Sequence, residues 1–337
     1  MNVLGIESSC DETSVAIIRN GELTANLISS QDFHSKYGGV VPELSSRAHL
    51  QIVIPLVKDA LKKSRLELDE IDLFCATAGP GLIGALLVGF TFAKGMAYSL
   101  KKPFIGVNHI EGHIYSGFLM KDKPQFPYLA LVVSGGHTLL LIVKSFFDIE
   151  KLGSTVDDAA GEAFDKVSKM LGLGYPGGPK IQKISENGNP DKINFPVASL
   201  DNKYDFSFSG LKTSVLRYVQ KNFGSEPIPG KAIPDIAASF QHAVIKALSG
   251  NMEKALQEFD VKSISLVGGV AANDRLRNSF FELAAKYNIK LIVPDLEFCG
   301  DNAAMIAFRG SKLFESGRAD PFEMSPYPGL SENYFSI

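Results

Sequence analysis

The sequence predicts an α/β protein of two duplicated lobes with a ligand cleft between them. Short apolar segments typical of strands alternate with longer segments of helical periodicity, which is the pattern of sheets covered by helices. The order of three strands, helix, strand, helix and strand occurs twice along the chain, and this indicates an internal duplication. Glycine-rich or polar turns fall at matching positions of the two halves, where ligands bind in folds of this class.

The first half supplies the elements of one lobe. Its predicted strands are VLGIES, SVAII, ELTANLI, IDLFCATAG and PFIGVN. Helices are expected over residues 43–64 and 82–100. Residues 82–93 are the most apolar stretch of the chain, but Lys94 interrupts them and they are too short to cross a bilayer. We therefore expect a buried core helix there and no membrane association.

The second half repeats the order. Its predicted strands are PYLALVVSGG, HTLLLIVK, FDIEKLG, SISLVGG and KLIVP. Its predicted helices cover about 157–171, 236–259 and 275–287, and a last helix starts near Asn302. The expected lobes are 1–124 and 125–300, with the last helix, about 302–318, packing back on the first lobe. Residues about 172–230, rich in Gly, Pro, Asn and Lys, are expected to form a loop-dominated insert or a poorly ordered excursion.

The composition is that of a globular protein in a reducing compartment. The chain has 337 residues, of which 45% are hydrophobic and 21% charged, which allows two domains with a core each. Its net charge of −3 lacks the basic surplus of a nucleic-acid-binding domain, so such binding requires a local patch or a partner protein. The three cysteines, Cys10, Cys75 and Cys299, have no metal-type spacing. Together with an acidic N-terminus unlike a signal peptide, they predict a cytoplasmic protein.

Three turns are candidates for binding an anion. Gly135 and Gly136 lie between two apolar strands, and Gly268 and Gly269 separate a strand from a helix that Asn273 or Asp274 caps. Such glycines let backbone N–H groups approach a phosphate, although a plain hairpin or a tight connection explains each pair equally well. The polar turn from Glu7 to Thr13 matches the SGGHT turn in the other half, and a hydrophilic hairpin tip is its alternative. Their equivalent placement favours the ligand-binding interpretation.

Two of the six histidines form a possible metal-binding pair. His109 and His113 are four residues apart, which on a helix is roughly 40° around the axis on one face. Two imidazoles so placed can share a metal ion, and Asp301 is a candidate third ligand. Buried or capping roles for the histidines, and a simple N-cap role for Asp301, remain open. Glu111 lies two residues after the first histidine, on the wrong helix face for the base of a zinc protease.

The combination of motifs resembles the TsaD family, the tRNA adenosine threonylcarbamoyltransferases once called O-sialoglycoprotein endopeptidases. The motifs that carry the resemblance run in order from the N-terminus to about residue 320: GIESSCDETSVAI, GPGLIGALLVG, NHIEGH, VSGGHT, GEAFDKVSKMLGLGYPGGP, FSFSGLKT, GGVAANDRLR and CGDNAAMIA. The resemblance implies the actin-like fold of sugar kinases and chaperone ATPases. It also implies transfer of the threonylcarbamoyl group from L-threonylcarbamoyladenylate to N6 of adenosine 37 of tRNA, beside the anticodon, with release of AMP.

The same resemblance implies roles for individual residues. One divalent metal per subunit, iron or zinc, would be bound by His109, His113 and Asp301. The turn that would hold the threonylcarbamoyl or phosphate portion comprises Val133, Ser134, Gly135, Gly136 and His137. Contacts to the ribose and adenine would come from Asp165, Gly178 and Asn273. Asp11 and Glu12 would act near the phosphates or the nucleophile. Gln182 stands where some relatives carry an acidic residue, so that contact is not transferred.

The resemblance implies partners as well: tRNA, the TsaB paralogue, the TsaE ATPase and a separate synthase that makes the adenylate, with ATP or ADP as further nucleotides. A small-molecule kinase of sugar-kinase type on the same fold is the main alternative, although the histidine pair has no role in it. A chaperone or filament module and a metallopeptidase are the others.

Overall fold

A computed structural model describes residues 1–224, 226–329 and 334–335, and it divides the chain into two compact units. Unit 1 comprises Met1–Lys123 with Pro294–Tyr334, and unit 2 comprises Pro124–Val293 with Phe335–Ile337. Unit 1 is therefore discontinuous in sequence, since its second segment follows Pro124–Val293 of unit 2.

Unit 1 is built on one mixed sheet. The strands that the structure describes there are β1 (Asn2–Glu7), β2 (Glu12–Arg19), β3 (Glu22–Ser30), β4 (Leu73–Gly79) and β5 (Phe104–Asn108). They lie in the order β3-β2-β1-β4-β5, with β1, β4 and β5 parallel and β2 antiparallel to both of its neighbours. Because the parallel strands end at one edge of the sheet, the residues after β1, β4 and β5 meet there.

The helices of unit 1 cover both faces of this sheet. They are α1 (Pro42–Ser64), α2 (Ile83–Leu100), α3 (His109–Tyr115), α9 (Leu296–Cys299) and α10 (Ala303–Glu315). Leu4 and Ile6 of β1 face a core formed with α1 and α2, whereas Val3 on the alternate face packs with Met305 and Ile306 of α10. This alternation follows from the two-residue period of a strand, and it explains why β1 is apolar on both faces.

Helix α2 is the one described helix that is apolar and long enough to span a membrane by composition and length. It buries Ala85, Leu86, Phe90 and Ala93 against the sheet. Its hydrophobicity therefore has an explanation within unit 1.

Unit 2 repeats the plan. Its described strands are β6 (Tyr128–Val133), β7 (Thr138–Ser145), β8 (Asp148–Ser154), β9 (Ser263–Val267) and β10 (Lys290–Ile292), in the order β10-β9-β6-β7-β8. Its helices are α4 (Ala160–Met170), α5 (Gly177–Ser185), α6 (Ser209–Phe223), α7 (Ile233–Glu258) and α8 (Asp274–Lys286). Read outward from β1 and from β6, the two sheets have the same strand order and the same parallel and antiparallel pairs. The predicted duplication of an α/β unit is confirmed.

The segment 172–230, expected to be a loop-dominated insert or a poorly ordered excursion, contains two helices that were not predicted, α5 and α6. The start of α6 is stabilised from a distance. Asp157, about fifty residues earlier in the chain, accepts hydrogen bonds from the backbone N–H groups of Phe208 and Ser209 and from the hydroxyl of Ser207. A cap supplied from outside the segment leaves no local sequence signal.

Candidate functional site

Helix α3 begins at the edge of the unit 1 sheet where β5 ends. Asn108 is its N-cap, since its side-chain oxygen accepts a hydrogen bond from the backbone N–H of Glu111. His109 and His113 occupy one face of α3, and their ring centroids are 4.7 Å apart. Both side chains are buried. The two histidines therefore lie on one helix, as the sequence predicted.

Asp301 lies beside both histidines. Its Oδ1 is 3.1 Å from His113 Nε2 and 3.4 Å from His109 Nε2. One ligand atom from each of the three residues lies within 4.8 Å of the others. Two imidazole nitrogens and a carboxylate oxygen are a donor set that iron and zinc both accept. The capping role considered for Asp301 belongs instead to Asn302, whose side chain accepts from the backbone N–H of Met305.

The hydrogen bonding of the two histidine rings also fits a metal ion at this site. His113 Nδ1 is buried and has no hydrogen-bond partner, while His109 Nδ1 faces the buried carboxylate of Glu7 at 3.0 Å. Both rings therefore present Nε2 to the same point beside Asp301. A carboxylate behind a ligating histidine is the usual outer partner of a metal site.

Glu111 points away from this cluster. Its carboxylate accepts from Arg309 Nε at 2.6 Å and from the hydroxyl of Tyr334 at 3.0 Å. It is in a buried ion pair rather than beside a metal-bound water, in agreement with the weak case for a metallopeptidase.

Asp11 and Glu12 follow β1 and lie near the same cluster. Burial, reinforced by the negative charges of Asp301 and Asp11, raises the pKa of Glu12 to about 10. Burial by itself lowers the pKa of His109, but the carboxylates of Asp301 and Glu7 outweigh it and raise that pKa to about 9. Burial also raises the pKa of the Cys10 thiol, so Cys10 is not an activated nucleophile. Both shifts favour the protonated forms of Glu12 and His109, and a bound cation would oppose them because metal ligands must be deprotonated.

In unit 2, a pocket of about 540 Å³ lies beside the equivalent turn between β6 and β7, within the range of roughly 300–1,000 Å³ typical of small-molecule sites. Four of the residues expected to bind the adenylate are among its lining residues: Gly135, Asp165, Gly178 and Asn273. The other four belong to the β6–β7 turn but are not in the lining: Val133, Ser134, Gly136 and His137.

Close backbone contacts shape this pocket. A Cβ on Gly161 would lie 2.5 Å from the carbonyl oxygen of Ser134, and a Cβ on Gly177 would lie 2.5 Å from that of Phe164. Asp165 accepts a hydrogen bond from the backbone N–H of Gly177 at 2.6 Å. Gly135 and Gly178 have open space where a Cβ would stand, so the backbone there leaves room for a ligand to approach closely.

Asn273 has a structural role as well as a place in the lining. It caps α8 by accepting from the backbone N–H of Leu276, and its amide donates to Gln241. Gln182 lines the pocket too, and its side chain exchanges hydrogen bonds with the backbone N–H and the carboxylate of Asp274.

Sequence reasoning missed several lining residues: Gly161, Lys183 and Glu186. It also missed that Glu7 contacts His109, since these residues are 102 positions apart. The one sequence signal that could have connected Glu7 and His109 is that each stands at the end of a predicted strand, since parallel strands end at the same edge of a sheet.

Solved structures resemble this chain in fold. T. kodakarensis HypF matches with a TM-score of 0.65 at 16% identity over 94% of this chain, which spans 48% of the HypF chain. The activator of the 2-hydroxyisocaproyl-CoA dehydratase from Clostridium difficile matches with a TM-score of 0.51 at 16% identity, over 95% of this chain and 99% of the activator. The duplicated mixed sheets and these likenesses define the class: an α/β protein of the actin-like ATPase fold.

Sequence comparison identifies the family within that class. The sequence model of TsaD, described as tRNA N6-adenosine threonylcarbamoyltransferase, matches residues 22–308. The protein of that description from Thermosipho africanus is 53% identical over 332 residues, covering 98% of this chain and 99% of the relative. The one from Carboxydothermus hydrogenoformans is 50% identical over 331 residues and 97% of each chain. The chain belongs to the TsaD family. The predicted family and transferase activity are confirmed, and the kinase alternative is not favoured.

Proposed function

We propose that this chain transfers the threonylcarbamoyl group from L-threonylcarbamoyladenylate to N6 of adenosine 37 in tRNA and releases AMP. The observation that carries the proposal is the cluster of His109, His113 and Asp301 in a chain of the TsaD family. A sugar-type kinase gives this cluster no role.

The reaction forms one bond and breaks another. The adenine amino group attacks the carbamoyl carbonyl of a mixed anhydride, the C–O bond to the phosphate breaks, and AMP leaves. The attacking nitrogen must also lose a proton. Because the donor already carries a good leaving group, the enzyme has to supply positioning, stabilisation of negative charge and proton removal. Positioning of both substrates contributes about 7–11 kcal/mol in favourable cases.

In unit 2, we assign the adenosine portion of the donor to the pocket lined by Asp165, Gly178 and Asn273. The β6–β7 turn, from Val133 to His137, is then the binding site for its phosphate or threonylcarbamoyl portion. Gly135 and Gly136 are exposed and leave open space beside their Cα atoms. Their backbone N–H groups are suited to stabilise developing negative charge without reorganisation. ATP and ADP would bind the same pocket.

In unit 1, His109, His113 and Asp301 would hold one iron or zinc ion, which would supply Lewis-acid stabilisation of an oxyanion or phosphate. Asp11 and Glu12 supply carboxyl groups beside Asp301, as the mutual effect of their charges indicates. We assign to these two residues the orientation of the nucleophile, in which the protonated carboxyl of Glu12 donates a hydrogen bond.

The proposal includes partners and a compartment. A net charge of −3 supports tRNA binding that depends on further proteins. We propose the TsaB paralogue and the TsaE ATPase as those partners, with the adenylate made by a separate synthase. The three cysteines form no disulfide in the described part of the chain, which agrees with a cytoplasmic location.

The test is a transfer assay with the adenylate, unmodified tRNA and the partner proteins, read by mass analysis of nucleosides. Wild type is compared with His109→Ala and Asp301→Ala, and with His242→Ala as a control at an exposed histidine of α7. We expect modified adenosine from wild type and the control, and little from the two cluster variants. Product from both cluster variants at the wild-type rate would refute the metal assignment. Absence of product with metal and partners supplied would refute the reaction.

The pocket assignment has a test of its own. Asp165→Ala should weaken AMP binding measured by calorimetry, because it removes the carboxylate that holds the Gly177 backbone in place. Glu253→Ala is the control, since Glu253 lies on α7, outside the pocket, and pairs with Lys286. Equal AMP affinity in the two variants would contradict the assignment.

A further inference from the structure

We propose that Glu7 is the positioning residue of the metal site: its buried carboxylate fixes the ring and the tautomer of His109 so that Nε2 is free to bind the metal. This inference rests on the proposed metal site. It adds a fourth residue, from a distant strand, that touches neither substrate nor metal.

The contacts of Glu7 are closely defined. It ends β1 and is fully buried. Its Oε1 accepts from the backbone N–H of Ser9 at 2.5 Å. Its Oε2 accepts from the hydroxyl of Thr77 at 2.5 Å and lies 3.0 Å from His109 Nδ1. Three neighbouring elements therefore meet on one carboxylate, as expected where the parallel strands β1, β4 and β5 end at the same edge.

This arrangement determines the tautomer of His109. An ionised carboxylate only accepts hydrogen bonds, so the ring nitrogen facing it must carry the proton. With Nδ1 protonated, the neutral ring has its lone pair on Nε2, the atom directed toward Asp301 Oδ1. A metal ligand needs that lone pair, and a carboxylate behind the ring also makes the ligand more basic.

A glutamine cannot reproduce these contacts. Its amide would have to direct its N–H₂ group either at the backbone N–H of Ser9, which is also a donor, or at Thr77 and His109. In the second case His109 Nδ1 becomes an acceptor, the proton moves to Nε2, and the ligand atom is blocked. The requirement is for a carboxylate and not merely for a polar side chain of the same size.

The charge of Glu7 points to a cation at the same site. Within the described part of the chain, no lysine or arginine forms an ion pair with Glu7, and the neighbouring His109 is a cation only when both of its ring nitrogens carry a proton. A buried carboxylate without a compensating cation is costly. A divalent ion bound to two neutral histidines would balance Glu7 and Asp301 together.

The two histidines are not supported equally. His113 Nδ1 has no hydrogen-bond partner, whereas His109 Nδ1 faces Glu7, with the Ser9 hydroxyl at 3.3 Å. The orienting effect of the protein on the ligands therefore acts through His109. Loss of Glu7 should consequently affect metal binding in the same direction as loss of His109, but less severely.

The experiment titrates the metal-free full chain with Co²⁺ and follows the visible absorption bands, which report both affinity and coordination. The variants are Glu7→Gln, Glu7→Asp, Thr77→Val and His109→Ala. Glu111→Gln is the matched control, because Glu111 is a partly buried glutamate on the same helix as these histidines but faces Arg309. Circular dichroism verifies that each variant is folded. If Glu7→Gln does not fold, Glu7→Asp and Thr77→Val decide the question, since they keep the negative charge.

We expect Glu7→Gln to weaken Co²⁺ binding about 10–100-fold, the usual effect of removing an outer partner of a metal ligand. Glu7→Asp and Thr77→Val should weaken binding by smaller factors and change the band pattern, while Glu111→Gln keeps the wild-type affinity. Wild-type affinity and bands in all folded Glu7 and Thr77 variants, with binding lost in His109→Ala, would overturn the role of Glu7 and leave the metal site standing. Equal binding by wild type and His109→Ala would overturn both.

Discussion

Asn302 caps helix α10, and this leaves the carboxylate of its neighbour Asp301 directed at the histidines of α3. The Asn302 side-chain oxygen accepts from the backbone N–H of Met305 at 3.1 Å, and its amide donates to the carbonyl of Gly300 at 2.9 Å. Asp301 Oδ1 lies 3.1 Å from His113 Nε2. Adjacent residues of similar size thus divide two tasks, helix capping and ligand donation.

Substitution of these two neighbours should separate stability from metal binding. Asn302→Ala removes the cap and should cost about 1–2 kcal/mol of unfolding free energy, measured by urea denaturation of the metal-free protein. Asp301→Asn should change that free energy much less but abolish tight Co²⁺ binding. Equal losses of stability in the two variants would contradict this division.

The buried ion pair between Glu111 and Arg309 should contribute strongly to the stability of unit 1. The guanidinium is almost fully buried and also lies 4.5 Å from the ring centre of Tyr115. Glu111→Gln removes a charged partner at 2.6 Å from a buried cation, and we expect a loss of about 3–5 kcal/mol. Glu43→Gln is the control, because the exposed pair of Glu43 and Arg47 should contribute no more than about 1 kcal/mol. A similar effect of both substitutions on urea denaturation would refute the prediction.

Gly5 allows β1 to approach α10 closely. A Cβ there would lie 2.7 Å from the carbonyl oxygen of Ala303 and 2.8 Å from the backbone nitrogen of Ala307. Gly5→Ala should therefore destabilise the protein by about 1–3 kcal/mol through overpacking. Gly95→Ala, in the middle of α2 with open space around it, should stabilise by up to about 1 kcal/mol. Thermal melts should give a lower melting temperature for Gly5→Ala and a higher one for Gly95→Ala. An unchanged melting temperature in Gly5→Ala would contradict the prediction, because it would show that α10 can shift to accommodate the methyl group.

His49 should make the folded state less stable in acid. Burial is the main cause that lowers its pKa below the ordinary value of 6.5, so the unfolded chain takes up a proton that the folded chain resists. The free energy of unfolding should therefore fall as the pH drops through about 6.5 toward the lower folded pKa, and this contribution is absent above that range. His49→Gln should flatten this part of the profile, measured by denaturation between pH 5 and pH 8. An unchanged slope in His49→Gln, with exposed His242→Gln as control, would contradict the assignment.

The strands were predictable because their apolar segments are short and bounded by turns, and the structure confirms that pattern in both halves. Helices α5 and α6 were not predicted, since the signal for α6 is Asp157, outside the segment. The motif spacing predicted that His109 and His113 share a helix face. The role of Glu7 could not be predicted from periodicity, because its partners Thr77 and His109 meet it only through the sheet. The cap at Asn302 was likewise indistinguishable by sequence from a cap at Asp301.

Because unit 1 is discontinuous in sequence, its sheet is covered late during synthesis of the chain. The face of β1 that carries Val3 and Gly5 is covered by α10, which a ribosome synthesises after residues 124–293 of unit 2. Until then this face of the sheet stays exposed, whereas residues 124–293 have all their strands and can fold earlier. Asp301 arrives with the same segment, so the metal cluster is completed only after residues 124–293 have been synthesised. Newly made protein thus passes through a stage with one unit formed and the other incomplete, when an apolar sheet face is open to chaperones or to aggregation.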